Sequence, residues 1–123
     1  MSDERQAVVT YHAEREAFVV RVGGDIDSES APQLAQALDA AERAVSVRTV
    51  VDLSGTEFAD SSVLHVLLAA RQEHEERGAL MVVAGPFNES IERLFDVTGT
   101  AGFFVLADSV AAAMEVPQAV TER

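Results

Sequence analysis

Two short apolar runs, VRTVVDLSG (Val47 to Gly55) and ALMVVAG (Ala79 to Gly85), constrain this chain more than any other feature. Neither alternates strictly, which is the pattern of a strand covered on at least one face inside an α/β sheet. Between them lies a helical pattern from Asp60 to about Arg77. Strand, helix and strand therefore make a crossover, whose hand is expected to be right. ALMVVAG is the most apolar strand and is expected at the sheet centre.

The flanking segments extend this unit. AVVTYHA (Ala7 to Ala13) and AFVVRVGG (Ala17 to Gly24) read as strands joined by a charged hairpin turn, ERE. A first helix is expected from Ser30 to about Val45, with Ser30 as cap, Gln33 completing a capping box and Pro32 tolerated in the first turn. Its stripe is Ala31, Leu34, Ala35, Leu38, Ala41 and Val45. After VRTVVDLSG the chain is read as turning through SGTEFAD. The helix from Asp60 starts with Val63, Leu64, Val66, Leu67 and Leu68, and ends in the polar RQEHEER, so its start is expected buried and its end wet. Asn88 caps a third helix with stripe Ile91, Leu94 and Phe95, and Gly99 ends it. FFVL (Phe103 to Leu106) is a last strand, and Asp108 caps a short helix to Val116. The order is ββαβαβαβα, an α/β fold with a small mixed sheet and flanking helices. At 123 residues this is one domain, 1–123, with its core at about 8–114 and loose ends.

Charge narrows the function. Twenty-one acidic residues against nine basic ones give a net charge of −12, which repels phosphate backbones and anionic membranes and favours a protein partner. All nine basic residues are arginine, so Schiff-base chemistry, a Walker-type phosphate lysine and a lysine-completed phosphoaspartate pocket are excluded. No run approaches the roughly 20 apolar residues of a membrane span, and MSDERQ lacks a targeting pattern. With no cysteine, the chain reads as cytoplasmic.

Candidate chemistry is sparse. His12, His65 and His74 lack metal-ligand spacing, so no metal and no cofactor are expected. His74 reads as a solvated helix residue, and His65, set among leucines, as the less comfortable one. There is no G-x-S-x-G, and VGGD is no phosphate cradle, so an enzyme is not expected. Asp52, near the end of an apolar strand, reads as a loop cap rather than a phosphate acceptor. That leaves Asp60-Ser61-Ser62. Asp60 or Ser61 can be a plain helix cap, yet a serine at a helix N-terminus faces unpaired NH groups and the positive end of the dipole, where an attached phosphate is tolerated.

VGGDID...SAPQL, VVDLSGTEFADSSVLHVLLAA, GALMVVAG and IERLFDVTG, in this order over Val8 to Met114, resemble the STAS domain, specifically the bacterial anti-sigma factor antagonists. The resemblance implies binding to an anti-sigma factor of the GHKL serine-kinase type, release of a sigma factor, phosphorylation of Ser61 after the motif aspartate Asp60, and reversal by a metal-dependent serine phosphatase. It also implies a partner surface of Gly24, Asp25, Asp27, Asp60, Ser61, Ser62 and Val63, with Asp25 in place of the usual glutamate. Val63 stands where the family carries glycine, and His65 where a small residue is common; the β-branched Val63 is expected to restrict the backbone and fill space beside the serine. The alternative is a STAS scaffold or ligand-sensing module in which DSS is a structural cap.

Overall fold

β1 (Val8–Glu14) and β2 (Ala17–Ile26) form the expected antiparallel hairpin, with Arg15 at the turn in a positive-φ conformation. The computed structural model describes residues 6–118; of the loose ends expected outside about 8–114, residues 1–5 and 119–123 lie outside the described residues, while Gln118 donates to the Val47 carbonyl at 2.9 Å. From β2 onward each strand lies parallel to the next: β2 beside β3 (Arg48–Ala59), β3 beside β4 (Leu80–Ala84), and β4 beside β5 (Val105–Ala107). The five-stranded sheet runs in sequence order, β1-β2-β3-β4-β5. β3 therefore occupies the middle, and ALMVVAG lies one place off it, flanked on both sides.

Three crossover helices, α1 (Ala31–Arg43), α2 (Ser61–Glu76) and α3 (Glu89–Thr98), share one face of the sheet. Leu34 and Leu38 of α1, Val63 and Leu67 of α2, and Ile91 and Phe95 of α3 close one core over Val20, Val51 and Val83. Each such large side chain, fully withdrawn from water, contributes about 1.5–3 kcal/mol. On the other face the short α4 (Val110–Glu115) sets Ala113 against Val19, Val50, Val82 and Ala84. Phe95 meets Phe87 and Phe104 edge-to-face at centroid distances of 5.7 and 5.8 Å, which fixes α3 against the sheet.

Several sequence-based boundaries move. SGTEFAD does not turn: β3 runs on to Ala59, with Gly55 opposite Gly23, Phe58 opposite Asp25 and Ala59 opposite Ile26. Two register shifts in this pairing mark bulges, and Gly24 has φ 80°, a conformation that glycine adopts without a Cβ penalty. The Thr56 hydroxyl donates to the Val22 carbonyl at 2.8 Å, tying the two irregular strand ends together. α1 ends at Arg43 and leaves Val45 exposed, while Ala37 joins its buried stripe. The last helix is capped by Ser109, whose hydroxyl accepts from the Ala112 NH, and not by Asp108. FFVL splits into a 3-10 turn (Ala101–Phe103) and the start of β5. Asn88 and Gly99 bound α3 as expected, Gly99 with φ 68°.

Candidate functional site

Because β2 and β3 are parallel neighbours, their carboxyl ends emerge at one edge of the sheet, and α1 and α2 both begin there. Such strand ends are where open α/β sheets present binding surfaces. Ile26 pairs with Ala59, and the Asp60 NH donates to the Ile26 carbonyl at 3.3 Å. This brings the segment Gly24–Asp25–Asp27 beside the segment Asp60–Ser61–Ser62, although some 35 residues separate them in sequence.

Asp60 is the N-cap of α2: its carboxylate accepts from the Ser62 NH at 3.0 Å and from the Ser62 hydroxyl. Ser62 is thus half-buried and engaged. Ser61, the first helical residue, is exposed, and among the described residues its hydroxyl takes part in no hydrogen bond. The two adjacent serines have different chemical availability for a purely local reason, since Asp60 bends back over the second.

The start of α1 is built differently from the expected Ser30–Gln33 capping box. Asp27 holds the turn: its Oδ1 accepts from the Glu29 NH at 3.0 Å, the Ser30 NH at 3.2 Å and the Ser30 hydroxyl at 3.1 Å. In return Ser30 Oγ accepts from the Asp27 NH at 2.9 Å. The reciprocal pair therefore begins three residues earlier, and Ser30 makes no side-chain cap to α1. The Ser30 hydroxyl first, then the Ser30 and Glu29 backbone NH groups, holds the Asp27 carboxyl below its ordinary range. Asp27 stays ionised and exposed beside the start of α2. Asp25 is half-buried at the β2 bulge.

The structure changes the meaning of the two departures. Val63 is 1% exposed and points into the core between α2 and the sheet, so it fills no space beside the Ser61 hydroxyl and offers no surface of its own. His65 is exposed, on the same side of α2 as Ser61, and His74 is the buried one. Val63, Leu67, Ala70 and His74 follow helical spacing, which would have placed His74 on the buried stripe from sequence. Its Nδ1 bonds the Ala70 carbonyl and its Nε2 the Thr49 hydroxyl, both at 2.7 Å. Burial pushes the His74 pKa down, and the imidazole is neutral with Nδ1 as donor.

Asp52 caps locally, accepting from the Ser54 NH at 2.9 Å, and pairs with Arg21 at 3.1 Å, but it lies within β3 rather than at a strand end. Among the described residues no cluster of His, Asp and Glu is arranged to hold a metal ion, and no helix is long and apolar enough to cross a membrane.

A mixed sheet with three crossover helices on one face, one short helix on the other, and a capped serine at the strand-end edge is the architecture of a STAS domain. The chain belongs to that family: the family model described as Mlab, STAS domain, matches residues 9–107. An anti-sigma-B factor antagonist of Listeria monocytogenes is 30% identical over 78 residues, covering 63% of this chain and 68% of the relative. The crystal structure of an anti-sigma factor antagonist from Mycobacterium paratuberculosis superposes with a TM-score of 0.82 at 26% identity, over 94% of this chain and 97% of the other. The phosphorylated form of the Bacillus cell fate determinant SpoIIAA shares the fold, with a TM-score of 0.67 at 18% identity over 89% and 100%. By sequence and structure the relatives are anti-sigma factor antagonists.

Proposed function

We propose that this chain is itself an anti-sigma factor antagonist, a non-enzymatic cytoplasmic regulator that binds a serine-kinase anti-sigma factor of the GHKL type and frees a sigma factor. Phosphorylation of Ser61 switches it off, and a metal-dependent serine phosphatase restores it. The observation that carries this reading is the contrast at the start of α2: the Ser61 hydroxyl is exposed and unengaged, while Ser62 is held by Asp60. A kinase reaching this edge meets one available hydroxyl.

The partner surface is Gly24, Asp25, Asp27, Asp60, Ser61 and Ser62, with Val63 supporting the helix start from beneath. A phosphate on Ser61 adds about −1.5 to −2 charges beside the carboxylates of Asp60 and Asp27. Backbone NH groups of the first turn and the helix dipole let the fold carry that charge. At the interface the balance reverses. Like charges brought together on docking cost several kcal/mol, and at ~1.4 kcal/mol per factor of ten the affinity falls on the order of a hundredfold or more. No refolding of the domain is required.

The test is binding of the candidate anti-sigma factor, by calorimetry, to the unmodified chain, to Ser61→Ala and to the kinase-treated chain. The proposal expects the first two to bind alike and the third at least a hundredfold more weakly. Tight binding that ATP leaves unchanged would favour a STAS scaffold instead.

A further inference from the structure

We propose that the trough between α1 and α2 docks one basic amphipathic helix of a partner protein, with aliphatic side chains on its floor and arginine or lysine along its rim. The trough encloses about 340 Å³ and is lined by residues of these two helices alone, within 35–42 and 65–73. At 1.5 Å per residue that is about 10–12 Å of each helix, or two turns. Ala35 and Leu38 on α1 and Val66 and Ala69 on α2 form an apolar floor. Small side chains there leave a groove into which a helical ridge can pack. Lined only by helices, the trough presents no strand edge for an extended peptide.

Its rim is acidic. Asp39 and Glu42 stand on one side and Glu73 on the other. Glu73 is already paired with Arg77, but the Asp39 and Glu42 side chains make no hydrogen bond or ion pair among the described residues. Glu42 also lies in the last turn of α1 (Ala31–Arg43), where the helix dipole disfavours a carboxylate. Helix stability therefore does not explain Glu42, whereas a cationic partner accounts for both carboxylates.

The same charge selects against other occupants. A second copy of this chain would bring identical carboxylates to face them, and nucleic acid or an anionic membrane would be repelled by the net charge of −12. His65, one turn beyond Ser61, lines the trough as well, so an occupant lies along the helix that carries the serine. The docking does not depend on modification of that serine. Recognition of this kind places i, i+3, i+4 and i+7 anchors of a partner helix in a groove.

The probe is a synthetic peptide with alanine and leucine on one helical face and arginine along both margins, beside a scrambled peptide of the same composition. Both are titrated into the full isotope-labelled chain and followed by amide chemical shifts. The patterned peptide should shift 35–42 and 65–73 selectively. Asp39→Asn with Glu42→Gln should weaken binding about three- to tenfold, the scale of two partly exposed charge contacts, and Ala69→Arg, on the exposed floor, should abolish the pattern. Equal binding of the scrambled peptide, shifts spread over the acidic surface, no binding at millimolar peptide, or insensitivity to Ala69→Arg would each overturn the proposal. Trough shifts that appear on concentrating the protein without peptide would do the same by assigning this face to a second copy.

Discussion

Replacing His74 by leucine should convert a pH-dependent stability into a flat one. His74 is 1% exposed and Thr49 0%, and the two are joined by the Nε2–hydroxyl bond of 2.7 Å. Leucine fills the apolar space but orphans the Thr49 hydroxyl, at a cost of about 1–3 kcal/mol near pH 8. The wild type carries a different liability. Burial lowers the folded-state pKa of His74 below 6.5, outweighing the Ala70 carbonyl and the carboxylates of Glu73 and Glu42, which favour the charged ring, while Arg77 opposes it. Above 6.5 the ring is neutral in both states and stability is complete; as pH falls below 6.5 the unfolded chain takes a proton that the folded one does not. Each pH unit in that window removes up to ~1.4 kcal/mol until the folded-state pKa is reached. Urea unfolding at steps from about pH 8 to about pH 5 measures this, because unperturbed carboxylates titrate nearer 4. The wild-type curve should fall toward the leucine curve, and His74→Leu with Thr49→Val should regain part of the loss at pH 8. Parallel decline of wild type and His74→Leu would refute the assignment.

Other substitutions separate structure from switching. Asp60→Ala should cost about 1 kcal/mol of stability, measured by urea unfolding, through loss of the α2 cap, and should free the Ser62 hydroxyl to compete for phosphate. Ser61→Ala, at an exposed position without a side-chain bond, should leave the midpoint within about 0.5 kcal/mol. Val63→Gly, which restores the family residue, should destabilise by roughly 2–4 kcal/mol by emptying a core position and adding the helix penalty of glycine, readable as a drop in melting temperature. Its effect on Ser61 phosphorylation should be small, since Val63 faces away from that hydroxyl.

What could be read from the sequence was what local chemistry decides. Asn88 and Gly99 bound their helix because a cap and a left-handed stop are set by one or two residues. Asp60 at the start of α2 was legible for the same reason. The extension of β3 through SGTEFA was not, because it rests on Gly23 lying opposite Gly55 and on a Thr56 bond to Val22, contacts between segments about 34 positions apart. The sequence also hid which strand would be central, since β1 and β2 both lie on the far side of β3 from ALMVVAG and put the middle at β3. The exchange of roles between His65 and His74 had a different origin. Neighbouring leucines suggested burial for His65, but helical periodicity puts it with Ser61 and Ala69 on the exposed side and His74 with Val63 and Leu67 on the buried one. For the site, the pairing of Asp27 with Ser30 replaces the expected cap because an Asx turn begun three residues earlier engages the Ser30 hydroxyl and the Glu29 and Ser30 NH groups.

The most direct check on the switch is peptide mass spectrometry of the chain after incubation with ATP and the candidate anti-sigma kinase, with Ser61→Ala in parallel. The difference in hydroxyl availability at the α2 start requires a single phosphate on Ser61 and none on the alanine variant. Phosphate on Ser62, or none at all while the complex forms tightly, would contradict the switch and leave Asp60-Ser61-Ser62 as a helix cap and contact surface.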